Sequence, residues 1–143
     1  MYPTFEHQRP HLLKPEYASE VQPVASGWHP KTVKIDSWAE IADILPLETE
    51  RAEMLMSELV RFIVWNEQFL EERLKFKPQK PLFILFLKPF KLSQVYELPY
   101  DDSYGGCRSW IELKESISIQ NSIPVWEEAE YRTLSSTIHR LLK

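Results

Sequence analysis

The sequence predicts an α+β domain in which a small mixed β-sheet is packed by a long central helix, or a helix pair, and by a C-terminal helix. Three observations predict this class. Residues 82–87 are all apolar, which is typical of a buried strand. Residues 47–77 contain neither glycine nor proline and repeat apolar residues at steps of three and four. The last eighteen residues combine an apolar stripe with charges that suit a helix.

The N-terminal third predicts an arm, a strand and a short helix. Residues 1–31 hold five of the eleven prolines, which favours a loop with a short helical turn. Residues 32–35 alternate polar and apolar side chains, as a strand does. Ser37 and Glu40 have the spacing of a capping box, so a helix to about Leu45, stopped by Pro46, is expected.

The remaining elements follow in order. Residues 47–77 predict one long amphipathic helix or two abutting ones, with a bend or buried junction at the apolar run 62–65. Strand 82–87 comes next, and Pro89 is expected to end its regular pairing. Two weaker strands are predicted at 94–98 and 109–113. The final helix, about 125–142, begins with acidic residues and ends with basic ones.

Composition limits the class of protein. The chain has 143 residues, of which 43% are apolar, so it is not a disordered chain, and its single cysteine cannot build a disulfide framework. The N-terminus lacks the features of a secretory signal, and no apolar run is long enough to span a bilayer. We therefore expect a cytoplasmic protein without a membrane partner. We expect a single domain over 1–143, with a proline-rich arm (1–31) and an α+β core (32–143).

Charge is distributed unevenly along the chain, whose net charge is −4. No acid lies between Glu72 and Glu97, and four phenylalanines interleave with the cations there. The candidate anion-binding residues are Arg73, Lys75, Lys77, Lys80, Lys88 and Lys91, joined by Arg108 beside the paired glycines 105 and 106. This pattern predicts an anionic partner such as nucleic acid. The alternative is a purely structural role, in which the cations protect sheet edges from aggregation and the phenylalanines belong to the core.

A second pattern resembles a nuclease site. Asp102 is followed ten residues later by Glu112, with Lys114 two positions further on. In restriction-type nucleases two acids hold Mg²⁺ and a lysine stabilises the attacked phosphate. A chain of this composition also produces an acid-x-Lys triplet by chance, and a turn joined to a charged edge strand explains the same residues. Mg²⁺ is expected only if the nuclease hypothesis holds.

Histidine offers a further candidate. His7 and His11 are four residues apart, but Pro10 disturbs the helix that would align them and no third ligand is near in sequence. We therefore predict no metal site there. His7 stays a candidate general base, beside the alternative of a solvated loop residue.

Several short segments of the sequence, taken together, resemble one family. They are Tyr2-Pro3-Thr4-Phe5-Glu6-His7-Gln8, Leu13-Lys14-Pro15-Glu16-Tyr17, Trp28-His29-Pro30, Trp65-Asn66-Glu67-Gln68-Phe69, Arg73-Leu74-Lys75, Pro81-Leu82 and Gly105-Gly106-Cys107-Arg108-Ser109-Trp110. From residue 2 to about 120 the chain resembles the bacterial domain of unknown function 1802. The resemblance implies no established activity, although some members are found beside restriction-type subunits, which favours a nucleic-acid role. Members usually begin further upstream with a strand, so an N-terminally incomplete copy is expected.

Three hypotheses follow from the sequence. The first is binding of an anionic partner, with nucleic acid as the example. The second is a metal-dependent nuclease. The third is a non-catalytic interaction module or the remnant of a longer protein. The sequence decides neither whether the protein is an enzyme nor which oligomeric state it has.

Overall fold

The structure, a computed structural model, describes residues 8–25, 27–76, 79–105 and 110–143. Within these ranges it contains five α-helices and three strands in the sheet order β1-β2-β3. The elements are α1 (Pro15–Ala18), β1 (Thr32–Leu47), α2 (Thr49–Met54), α3 (Met56–Leu59), α4 (Glu67–Phe76), β2 (Leu82–Pro99), β3 (Ile123–Pro124) and α5 (Glu128–Leu142). The α+β class is confirmed, and the strands pair antiparallel where the sequence predicts a mixed sheet.

Strand β1 is much longer than predicted. It runs for 16 residues, so the helix expected from Ser37 to about Leu45 is wrong. Ile35 is buried at 4% exposure, and Trp38 stacks on Phe90 of β2 with 4.5 Å between ring centroids. Pairing with β2 and packing of the aromatic side chain therefore outweigh the local capping pattern.

The central helical stretch is broken into α2, α3 and α4. Leu55 separates the first two, because its φ of −100° and ψ of 6° lie outside the helical region. After the 3₁₀ turn Val60–Phe62 the chain becomes extended, and Trp65 forms an antiparallel bridge with Leu13. A bend lies where the sequence predicts one, at residues 62–65, and a single long helix is wrong.

Strand β2 is a continuous strand of 18 residues, and Pro89 does not end its pairing. Proline donates no hydrogen bond, but the Pro89 carbonyl accepts one from the Val125 N–H at 3.0 Å. Immediately beyond it, Phe90 lies opposite Pro124 and Lys91 opposite Ile123 in β3. The strand predicted at 94–98 is the end of β2. Residues 110–113 do not form the predicted strand 109–113, and residue 109 lies outside the described residues.

The chain divides into two compact units. Among the described residues, unit 1 comprises Gln8 and those within 23–40 and 87–128, and unit 2 comprises those within 9–22, 41–86 and 129–143. In unit 1 the buried residues Ile35, Leu92 and Leu98 form a core with the partly buried Trp38, Tyr96, Leu113 and Ile117. This core fixes the loop that follows β2.

Unit 2 has its own core, formed where four helices and two strands meet. The buried members are Leu47, Ala52, Leu59 and Leu74, and they contact the partly buried Leu55, Met56, Leu70, Leu82, Ile84, Leu141 and Leu142. The C-terminal helix is thus confirmed as α5, with Leu141 and Leu142 packed against this core and basic residues in its last turn. In the described ranges, no helix is both long and apolar enough to traverse a bilayer.

Candidate functional site

The predicted cations do not all lie in one unit. Arg73, Lys75 and Lys80 belong to unit 2, and Lys88 and Lys91 belong to unit 1. Lys77 and Arg108, like His7, lie outside the described residues. Arg73, Lys75 and Lys80 are called the cationic segment.

The last turn of α4 presents Arg73 and Lys75 of the cationic segment to solvent, and Lys80, beyond the end of the helix, is also exposed. Leu74 is buried at 6% and points into the core of unit 2. At 100° per residue, Arg73 and Phe76 therefore lie away from the core, and both are exposed. The Arg73 guanidinium carbon is 5.9 Å from the centroid of the Phe76 ring, which is 68% exposed. The Arg73 guanidinium and the Phe76 ring are therefore adjacent, and both are exposed to solvent.

Acids neutralise little of this segment. Lys75 pairs with Glu71 at 3.4 Å on the same helix, and its side chain is 77% exposed, so water screens this ion pair. In the described part of the chain, neither Arg73 nor Lys80 has a carboxylate within salt-bridge distance. Cations in the last turn of a helix also complement its dipole, which is a purely structural reason for Arg73 and Lys75 to be there.

In unit 1 one of the predicted cations is already matched. The Lys88 ammonium forms an ion pair with Glu128, and its side chain is only 23% exposed. Lys91 is exposed at the short pairing between β2 and β3. Lys91 is therefore the better placed of the two for an external anion.

The four phenylalanines of the charged stretch separate into two pairs. Phe86 is buried at 5%, and Phe90 is partly buried and stacked on Trp38, so both pack inside the protein. Phe76 and Phe83 are exposed at 68% and 62%. The core interpretation of the sequence pattern therefore accounts for only half of these rings.

Lys114, a predicted catalytic residue, is bound to Asp101. Its ammonium donates to the Asp101 carboxylate at 2.5 Å, and the same carboxylate accepts the Ser103 N–H at 2.9 Å. The pKa of Asp101 is lowered to about 2. The largest cause is the hydrogen bond from Lys114, and the hydrogen bonds from Ser103 contribute less. The same ion pair raises the pKa of Lys114. The Lys114 side chain therefore links residue 114 to Asp101, which lies just after the end of β2.

The other predicted catalytic residues have exposed side chains near this ion pair. Asp102 begins the 3₁₀ turn Asp102–Tyr104, and Glu112 lies in the extended segment before Lys114. Across the ranges that the structure covers, no three His, Cys, Asp or Glu side chains group closely enough to hold a metal ion. The catalytic assignment of Asp102, Glu112 and Lys114 stays a prediction.

Two further contacts hold the loop after β2 in unit 1. The Tyr104 hydroxyl accepts the Lys114 N–H at 2.9 Å, and His29 stacks on Tyr100 with 3.5 Å between ring centroids. A Cβ atom at Gly105 would stand 2.6 Å from the Tyr100 hydroxyl oxygen. Any larger residue at position 105 would therefore require the Tyr100 hydroxyl to move.

A polar cluster that the sequence does not predict lies in unit 2. His139 of α5 contacts Asp43 of β1 through Nε2 at 2.8 Å and the Ser135 carbonyl oxygen through Nδ1 at 2.8 Å. Both of these partners are acceptors, and only the charged imidazole can donate to both at once, so the two contacts favour the charged form. The hydrogen bonds to Ser135 and Asp43 raise the pKa of His139, and the bond from His139 lowers the pKa of Asp43. The geometry therefore suits His139 to an ion pair with Asp43.

Sequence reasoning missed Asp43 and Asp101 for different reasons. Asp43 falls in the stretch predicted as a helix, and its partner His139 lies 96 positions away in α5, where no local pattern reveals it. Asp101 leaves a local signal: an aspartate two residues before Ser103 is the pattern of a turn closed by the aspartate side chain. That signal identifies the turn, but it does not identify Lys114 as the partner.

Comparison with known proteins gives one match. The family model described as a domain of unknown function (DUF1802) matches residues 1–137 of the 143. Neither a curated protein nor a solved structure matches the chain. The resemblance to this family that the short sequence segments indicate is thereby confirmed. Since the match covers nearly the whole chain, this protein belongs to the DUF1802 family.

Proposed function

We propose that the protein binds an anionic polymer, with nucleic acid as the favoured class, through the cationic segment of unit 2. The observation that carries the proposal is the position of Arg73, whose guanidinium lies beside the exposed Phe76 ring and has no described carboxylate within ion-pair distance. Guanidinium groups match phosphate oxygens in pairs, and an exposed ring provides a surface on which a base can stack.

A polymer suits this surface better than a small anion. The side chains of the cationic segment are exposed, so each one alone attracts an anion weakly and is screened by salt. A chain of phosphates can contact several cations at once and releases counterions as it binds. A small anion that contacts one such side chain gains much less.

The acidic character of the rest of the protein restricts the binding mode. With a net charge of −4, the protein repels a polyanion except where positive charge is concentrated. We therefore expect local binding at the end of α4 and the residues that follow, with Lys91 of unit 1 as a separate candidate contact.

A fluorescence anisotropy titration tests the proposal. Labelled single-stranded and duplex oligonucleotides are titrated with the protein at low and at physiological salt. We expect binding at low salt that weakens in the double variant Arg73→Gln, Lys80→Gln. The matched control is Lys34→Gln, Arg61→Gln, which removes the same charge from exposed side chains paired with Glu97 and Glu58. Absence of binding at low salt, or equal weakening in both variants, contradicts the proposal.

A further inference from the structure

Strand β2 has an open edge along its first half. β2 lies between β1 and β3, but β3 has only two residues, which pair with Phe90 and Lys91. Over residues 82–88 the edge of β2 opposite β1 therefore has no strand partner among the residues that the structure describes. Such an edge presents N–H and C=O groups that can pair with another chain.

The residues of this edge lack the protection that natural edges carry. Residues 82–87 are six consecutive apolar residues between Pro81 and Lys88, with no charge, proline or glycine among them. Leu82 and Ile84 pack against the core of unit 2, whereas Phe83 and Leu85 are 62% and 39% exposed on the opposite face. Charges and prolines are the usual devices against edge pairing, and here they stand only at the two ends.

The neighbouring part of β1 extends the apolar character of the outer face. Ile44 is 49% exposed, while the adjacent Asp43 is held by His139. A partner for this face is therefore itself uncharged and apolar. The first half of β2 in a second copy of the chain satisfies that requirement.

We propose that a second copy of this chain adds its β2 to this edge, in antiparallel pairing about a two-fold axis at Leu85. Directly opposite residues in such a pair share one face, so Phe83 meets Leu87 of the copy and Ile84 meets Phe86, apolar against apolar. An axis at Ile84 instead would align Lys80 with Lys88 of the copy, whereas the axis at Leu85 separates these lysines and places Lys88, which is paired with Glu128, opposite Leu82. This inference is independent of the proposed function.

Sedimentation velocity over a range of protein concentrations tests the pairing. We expect a concentration-dependent dimer for the unaltered chain and a monomer for Leu85→Lys, because that variant places two ammonium groups opposite each other. The matched control, Val95→Lys, replaces a 57% exposed apolar residue later in the same strand and leaves the dimer intact. Circular dichroism confirms that both variants fold.

Cross-linking supplies a second test that does not depend on a disruptive substitution. Residues at the two-fold axis have Cβ atoms about 4.5–5.5 Å apart, and a shift of about 1 Å brings them into the 3.5–4.5 Å range of a disulfide. In a Cys107→Ser background, Leu85→Cys is expected to form an interchain disulfide faster than Val95→Cys. A monomer at every concentration, a Leu85→Lys dimer as strong as that of the unaltered chain, or equal cross-linking rates overturns the proposal.

Discussion

His139 shows how a single side chain connects two distant parts of the sequence. Its two ring nitrogens donate to Asp43 of β1 and to the carbonyl oxygen of Ser135, and its ring lies 4.4 Å from that of Phe86. Its side chain is 32% exposed and that of Asp43 is 44% exposed, so water weakens the attraction. The pair therefore adds a pH-dependent contribution to a contact that apolar packing already supports.

The pH dependence of this pair can be predicted from the two shifts. The pKa of His139 is raised above 6.5, so its stabilisation is complete below that pH and is lost as the pH rises through the folded-state value. The pKa of Asp43 is lowered below 3.8, so its stabilisation is present above that pH and is lost as the pH falls through the folded-state value. Both contributions are present between these limits.

An NMR titration of the His139 imidazole tests this account. We expect a midpoint above 6.5 in the unaltered protein and a lower midpoint in Asp43→Asn, because the acceptor charge is removed. The control Glu58→Gln removes a carboxylate that pairs with Arg61 and leaves the midpoint unchanged. A midpoint at or below 6.5, or one that Asp43→Asn does not move, would show that the ion pair does not form.

At the scale of elements, Asn66 fixes the start of α4. Its side-chain oxygen accepts the Phe69 N–H at 3.2 Å, and its side-chain nitrogen donates to the His11 carbonyl oxygen at 2.8 Å. Its own N–H donates to the Leu12 carbonyl oxygen at 2.9 Å. One residue therefore caps the helix and ties the N-terminal segment of unit 2 to it.

Substitutions at Asn66 should separate these two roles. Asn66→Ala is expected to lower the free energy of unfolding by about 1–2 kcal/mol, since the cap and a side-chain hydrogen bond are both lost. Asn66→Asp keeps the acceptor for Phe69 but cannot donate to His11, so a smaller loss is expected. Urea unfolding measures both, with the exposed Gln68→Ala as the control. If Asn66→Ala unfolds at the same urea concentration as the unaltered protein, the residue has neither role.

Local patterns predicted some elements and failed for others. The apolar run 82–87 and the charge-ordered C-terminal helix were predictable because burial and the helix dipole act within a few residues. The spacing of Ser37 and Glu40 predicted a helix wrongly, because the same spacing also occurs in a strand. The strand is favoured by the packing of Trp38 on Phe90, a residue distant in sequence. Likewise, the break between α3 and α4 involves pairing of Trp65 with Leu13, which no window of sequence contains.

The candidate site was predictable only in outline. The absence of acids around Arg73 is visible in the sequence, but the exposure of Phe76 and Phe83 and the burial of Phe86 depend on which face each element turns to the core. The partner of Lys114 was equally out of reach, because Asp101 and the predicted Asp102 differ by one position. Tertiary packing determines which of these two neighbouring aspartates pairs with Lys114.

At the scale of the whole molecule, charge asymmetry carries the functional argument. The protein has 21 acidic and 17 basic residues, so positive charge must be concentrated for a polyanion to approach. Among the described cations, Lys88 is matched by Glu128, whereas Arg73 and Lys80 face no described carboxylate at ion-pair distance. Electrostatic binding at the end of α4 is the property that this distribution favours.

The salt dependence of oligonucleotide binding tests this central claim most directly. If the cationic segment neutralises three phosphates of a single strand, log K should fall with log salt at a slope of about −2. Removing two of those contacts in Arg73→Gln, Lys80→Gln should make the slope shallower by about 1.4. The Lys34→Gln, Arg61→Gln control should keep the original slope. A slope near zero, or one that the two substitutions in the cationic segment leave unchanged, would contradict the account.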